Sequence, residues 1–255
     1  LYPAQWNWDS AFISLGYSYF NLDYAIQELE TLLMGQWDDG MVPHILFHEV
    51  DDSYFPNHTT WSCGKEIPSS GITQPPIAAS ILRIIVKNNS LDETQNKKVF
   101  NLVCKLKKYH EWFFKNRDQN QSGLISIIHP WESGYDNSPL WDFALSKINV
   151  DKNLSYERRD LKVSKNDERP LKKDYDCYIT LLNQFKSDNY NPNKLLNNSM
   201  FNIIDIGFNS IFLKANKDLI ELLKLFKLDY LNLEEKIKKY IVNFNEYKQY
   251  IEIIM

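Results

Sequence analysis

The sequence predicts an all-α domain whose helices are joined by loops that carry chemistry. Two observations lead there. Apolar residues recur at i, i+3, i+4 and i+7 along most of the chain. The breaks between those runs are rich in Trp, Gly, Pro, acid and amide. Long helices alternate with such loops without a clean sequence repeat, a rhythm that suits an α/α toroid or an α-solenoid.

Two helices are expected over 9–20 and 21–36, the second with Leu22, Ala25, Ile26, Leu29, Leu32 and Leu33 on one stripe. Thr73-Gln-Pro-Pro opens a helix running to about 87, with proline tolerated in the first turn. Ser90 and Glu93 have capping-box spacing before a helix whose stripe is Val99, Leu102, Val103, Leu106, His110 and Phe113. Residues 118–123 are a turn cluster and 124–128 a short strand-like run. Residues 139–148 can start another helix, and 175–185, 203–226 and 233–244 complete the set. Residues 151–174 are strongly charged, with Pro170 inside, and read as a surface excursion within one domain spanning 1–255. The lysines of the last helices are solvated faces.

Composition narrows the function classes. A formal net charge of −4 argues against a nucleic-acid binder, which would show a basic face. No apolar run approaches the roughly 20 residues that cross a bilayer, so no membrane partner is expected. Three cysteines far apart, Cys63, Cys104 and Cys177, suggest free thiols in a reducing compartment. A cytoplasmic location follows from that and from the absence of a signal-like start. His44 beside the acidic turn 38–40 belongs to no metal-binding spacing. No metal or cofactor is expected.

Four segments concentrate the chemistry: QWNWDS (5–10), GQWDDGMVPHI (35–45), SSGITQPP (69–76) and HPWESGYDNSPLWD (129–142). Indole faces stack on the C–H faces of sugars, while Asp, Asn and Gln pair with hydroxyls. Two carboxylates astride a glycosidic bond supply the acid and base of hydrolysis.

WNWDSAF, GMVPHI, SGITQPP and HPWESGYDNSPLWD, in this order, resemble glycoside hydrolase family 63, in its mannosylglycerate hydrolase-like branch. The resemblance covers about 1–142 and continues faintly through FNIIDIGFNSIFLKAN (201–216). It implies an (α/α)6 toroid and an inverting α-glycosidase acting on a small glycoside such as mannosylglycerate or glucosylglycerate. It places the general acid on Asp136 and the substrate wall on Trp8, Asp9, Trp37, Gln74, Trp131 and Glu132.

The family's base is a glutamate in an E-x-Y-x-P-x-T-G-like segment. That segment does not occur here, so the chain is expected to be a fragment without its base, incomplete at the C-terminus. Leu140 stands where the family pattern has arginine (SPRWD), which removes one supporting ion pair.

Blander roles remain open for the same residues. Asp136 could cap the following helix, and Asp9 its own. Trp6 and Trp8 could be core aromatics, and Gln74 could close a turn. Glu132 could pair with Asp136 as a second acid, although Pro130 and Gly134 argue for irregular backbone; a hydroxyl ligand or a residue behind the ligands suits it better. An oligosaccharide α-glucosidase or trehalase-like enzyme is the alternative activity. A toroid that binds sugar without turnover is the non-enzymatic one.

Overall fold

The computed structural model describes residues 4–49, 54–118, 121–162 and 169–254, the side chains of Lys162 and of 247–254 excepted. In chain order the elements are β1 (Gln5–Trp6), α1 (Asn7–Ser18), α2 (Leu22–Met34), β2 (Ile45–Leu46), α3 (His58–Trp61), α4 (Ala78–Asn88) and α5 (Glu93–Asn116). They continue with β3 (Ser126–Ile127), α6 (Asp142–Leu145), α7 (Lys172–Ser187), α8 (Pro192–Asn198), β4 (Ile203–Ile204), α9 (Ile206–Leu225) and α10 (Leu231–Ile254). Three 3-10 turns, Pro130–Ser133, Pro139–Trp141 and Asp160–Lys162, interrupt the second half. The chain divides into two units, each built from three stretches of sequence.

The helical unit comprises 8–42, 75–126 and 204–255. Here α4 packs on α9, α2 on α5, and α9 on both α5 and α10. The stripes expected from periodicity are the buried ones, except that Leu22 at the start of α2 is only half-buried. Ala25, Ile26, Leu29, Leu32 and Leu33 face inward from α2, and the whole α5 stripe from Val99 to Phe113 is buried. Asn209 on α9 ties down the chain leaving α5. Its side chain accepts the Ile125 N–H and donates to the Ile125 carbonyl, both at 2.8 Å, while the Tyr240 hydroxyl donates to the Asn209 carbonyl at 2.6 Å.

Three local expectations are corrected. The capping box of α5 is formed by Asp92 and Gln95, not Ser90 and Glu93, and Gln95 also donates to Asp23 of α2 at 2.9 Å. Pro75 and Pro76 precede α4, which starts only at Ala78, instead of opening the helix. Residues 139–148 make a 3-10 turn followed by the single turn of α6. The turn at 118–123 does form, with the Asp118 carboxylate accepting the N–H groups of Ser122 and Gly123 at 2.8 Å each.

The loop-rich unit comprises 1–7, 43–74 and 127–203. β1 and β2 pair antiparallel, Gln5 opposite Leu46 and Trp6 opposite Ile45. Leu46 also bridges to Ser69. The short helices α3 and α8 were not legible as helical periods, being only four and seven residues long. Within 151–174, residues 163–168 lie outside the described residues. Before them, Arg158 pairs with Asp160, donates to the Pro170 carbonyl at 2.7 Å and lies over the Tyr175 ring at 4.4 Å. Cys63, Cys104 and Cys177 are free thiols.

Candidate active site

The segment 129–142 is irregular, and side chains close each of its turns. His129 caps the first 3-10 turn, its Nδ1 accepting the Trp131 N–H at 3.0 Å. Pro130 presets the turn, and Gly134 ends it in the left-handed region at φ 80°, where a side chain would be strained. The Ser133 hydroxyl donates to the Pro130 carbonyl at 2.7 Å and accepts the Tyr135 N–H at 3.0 Å. Trp141 then stacks on Tyr135 at 5.5 Å, and its Nε1 donates to the Tyr135 carbonyl at 3.1 Å. The first turn thus leads directly into the residue before Asp136.

Asp136 itself is half-buried in the turn between the two 3-10 segments. Burial raises its carboxyl above the ordinary carboxylate range, against its own backbone hydrogen bond and the charge of Arg169, which lower it. The largest cause is desolvation by burial. Asp136 is not a helix cap in this structure: Ser138 caps the turn that follows.

Glu132 is buried beneath the loop. Its Oε1 accepts the Thr73 N–H at 3.2 Å and its Oε2 the Ile128 N–H at 2.9 Å. It therefore joins the acid loop to the 69–74 segment, which places the adjacent Gln74, itself buried. Gly71 in the same segment has a packing reason. A Cβ there would come within 2.1 Å of the Tyr190 ring, whose hydroxyl donates to the Trp61 carbonyl.

Trp131 is partly exposed at the centre of an aromatic cluster. His44 stacks on it at 6.2 Å, Trp61 is tilted at 6.1 Å, and Tyr175 and Tyr178 meet it edge-on at 6.1 and 5.5 Å. His44 and His129 are buried and neutral, burial lowering each to about 3. From sequence His44 was considered only as a metal ligand and set aside, and Trp61, Tyr175 and Tyr178 were not singled out. The only sequence signal for the tyrosines was their three-residue spacing on one helix, which an ordinary core helix shares.

Gln74, Trp131, Glu132 and Asp136 thus come together in the loop-rich unit. Trp8, Asp9 and Trp37 belong to the helical unit. Trp8 is half-buried against Phe12, with rings 6.0 Å apart. Asp9 lies in the first turn of α1, solvent-facing, with partial desolvation raising its carboxyl. Trp37 is nearly buried, in a turn closed by its N–H to the Met41 carbonyl at 2.8 Å. Among the described residues no group of three His, Cys, Asp or Glu side chains could hold a metal ion. No described helix is long and apolar enough to cross a membrane.

The described residues are mostly helical, and the loop-rich unit carries a desolvated carboxyl, a partly exposed indole and a buried amide. The chain belongs to the family described as "Mannosylglycerate hydrolase MGH1-like glycoside hydrolase domain", whose profile matches residues 2–243. It is 44% identical to mannosylglycerate hydrolase of Thermus thermophilus, over 93% of this chain and 58% of that protein. It is 33% identical to glucosylglycerate hydrolase of Mycolicibacterium hassiacum, over 92% of this chain and 56% of that protein.

The crystal structure of the glycoside hydrolase family 63 mannosylglycerate hydrolase of Thermus thermophilus with Tris and D-glycerate matches with a TM-score of 0.92. That match has 42% identity and covers 96% of this chain and 59% of that one. The fold class is all-α, that of the family's α/α toroid. The chain spans a little under three-fifths of the length of these relatives.

Proposed function

We propose that the protein carrying this chain is an inverting α-glycoside hydrolase of a small glycoside of glycerate, mannosylglycerate or glucosylglycerate, with Asp136 as general acid. The observation that carries the reading is the half-buried Asp136 carboxyl, raised by desolvation on the acid loop. A general acid must hold its proton near neutrality, and burial is a common way to achieve that. Protonating the glycosidic oxygen turns a poor alkoxide leaving group into an alcohol. Trp131 offers a stacking face, with Gln74 in the same unit completing the proposed substrate wall there; Trp8, Asp9 and Trp37 of the helical unit are proposed as substrate-binding residues from the family resemblance. Glu132 supports that wall through the two N–H groups it accepts. The substrate class is supported by the names of the relatives at 44% and 33% identity.

Inversion calls for a base carboxylate roughly 6.5–9.5 Å from the acid, leaving room for the attacking water. The base is proposed to come from an E-x-Y-containing segment, which the 255 residues do not include. The scheme needs no metal or cofactor. The chain is read as part of one catalytic domain, which the single family profile over 2–243 supports. The charged stretch 151–174 is read as a surface excursion of it. A cytoplasmic location fits the three free thiols.

A proton NMR time course on the natural protein tests the reading. Offered the two α-linked glycerates, it should release β-anomer first, and Asp136→Asn should be slower by orders of magnitude. Release of α-anomer first would overturn inversion, and turnover of neither glycerate would overturn the substrate class.

A further inference from the structure

One residue outside the acid loop holds it at two points. Tyr178 sits on the buried face of α7, within the same unit as the loop. Its hydroxyl donates to the Asp136 carbonyl oxygen at 2.9 Å. Its own carbonyl oxygen lies 3.1 Å from His129 Nε2. The proton on that imidazole can be placed by exclusion. The Trp131 N–H can only donate, so His129 Nδ1 must accept it. Nε2 then carries the proton and donates to Tyr178. The first residue of the loop and its acid are therefore both fastened to a single position of α7.

We propose that Tyr178 is the positioning residue of the acid, its hydroxyl setting the peptide plane of Asp136 so that the carboxyl faces the leaving oxygen. This rests on the reading of Asp136 as the acid. Asp136 lies between a left-handed glycine and a 3-10 turn, so no helix or strand ladder orients its peptide. The tyrosine bond supplies the orientation that a ladder would otherwise give. The donor is permanent, because burial raises the Tyr178 phenol far above its ordinary value. The ring has separate support. It meets Trp131 edge-on at 5.5 Å and His129 at 5.6 Å, contacts that a phenylalanine would keep. Removing the hydroxyl therefore releases the acid without emptying the cluster. A displacement of about 1 Å at a proton donor can cost on the order of 100-fold in rate.

The test compares a substrate that needs the proton with one that does not. Wild type, Tyr178→Phe and Asp136→Asn, made in the natural protein, are assayed on α-mannosylglycerate and α-mannosyl fluoride, and on the glucosyl pair. Fluoride departs with little help from an acid, whereas the glycerate oxygen must be protonated. Tyr178→Phe should lower kcat on the glycerate about 10- to 100-fold with KM within about twofold, and slow the fluoride less than about threefold. Asp136→Asn should show the same selectivity, more strongly.

Equal slowing on both substrates, or a change in KM alone, would mark Tyr178 as merely structural and overturn the proposal. An inactive Asp136→Asn beside an unaffected Tyr178→Phe would overturn the positioning role alone; an active Asp136→Asn would overturn it together with the acid assignment. Should Tyr178→Phe fail to fold, His129→Asn decides instead. Asparagine keeps an acceptor for the Trp131 N–H but does not reach Tyr178. The same leaving-group selectivity is expected, and its absence would overturn the proposal.

Discussion

Helix α5 and the acid loop each bury only part of their residues, yet they are held by opposite means. Across 24 residues α5 presents nine buried side chains, six of them the stripe from Val99 to Phe113 expected from periodicity. Its contacts are non-directional and shared among many neighbours. The loop has no extended helix or strand. Each turn depends on one named donor–acceptor pair, such as His129 to Trp131 or Ser133 to Tyr135. The difference teaches where function is sensitive. A lost methyl group in α5 lowers the stability of the unit, while a lost hydrogen bond in the loop moves a reactive group.

Perturbing one side of that contrast should leave the other measure unmoved. The largest effect is expected from Asp136→Asn, which should lower kcat on a glycerate glycoside by about 10²–10⁴-fold with the thermal midpoint nearly unchanged. A parallel loss of midpoint, read by circular dichroism, would show that Asp136 is structural. Next comes Leu106→Ala in α5, buried at 0% exposure. It should cost roughly 2–5 kcal/mol in urea denaturation, with kcat per folded molecule unaltered.

Glu132→Gln sharpens the comparison because its carboxylate serves two backbone donors at once. An amide keeps one acceptor oxygen, so roughly 1–3 kcal/mol should be lost, together with activity as the 69–74 segment loosens. A variant equal to wild type in both would show that the loop has other support.

Taken per histidine and per pH unit, the smallest effect is in pH. His44 and His129 are lowered to about 3 from the ordinary 6.5. As pH falls through 6.5 the unfolded state takes up protons that the folded state refuses. Stability should thus be flat above about pH 7 and fall between 6.5 and 3. Each histidine adds a slope approaching 1.4 kcal/mol per pH unit, roughly. Urea midpoints at several pH values should show a shallower slope in His129→Asn. An unchanged slope would mean that His129 is protonated in the folded protein.

Where the chain spoke for itself, one physical rule acted alone. The α2 and α5 stripes follow from helical period and burial, and both are the buried faces found. The family was legible because four chemistry-rich motifs stand in order, and it is the family shown. Ambiguity arose wherever two local solutions were available. Ser90 with Glu93 and Asp92 with Gln95 have the same spacing, and the structure uses the second. The Gln95 bond to Asp23, 72 residues away, stabilises it, which no local pattern contains.

The sequence by itself determined the all-α class, most of the stripes of the long helices and the family, and it supplied the proposal that 129–142 carries the acid. Local periodicity and composition carry that information, because a helix and a motif are short-range objects. Tertiary structure alone decided what each loop residue does. Glu132 answers Thr73 across 59 residues, Gly71 makes room for the Tyr190 ring, and Tyr178 reaches the Asp136 carbonyl across 42. Hydrogen bonds and close contacts of this kind are set by distance in space, which the order of residues does not record until the chain has folded.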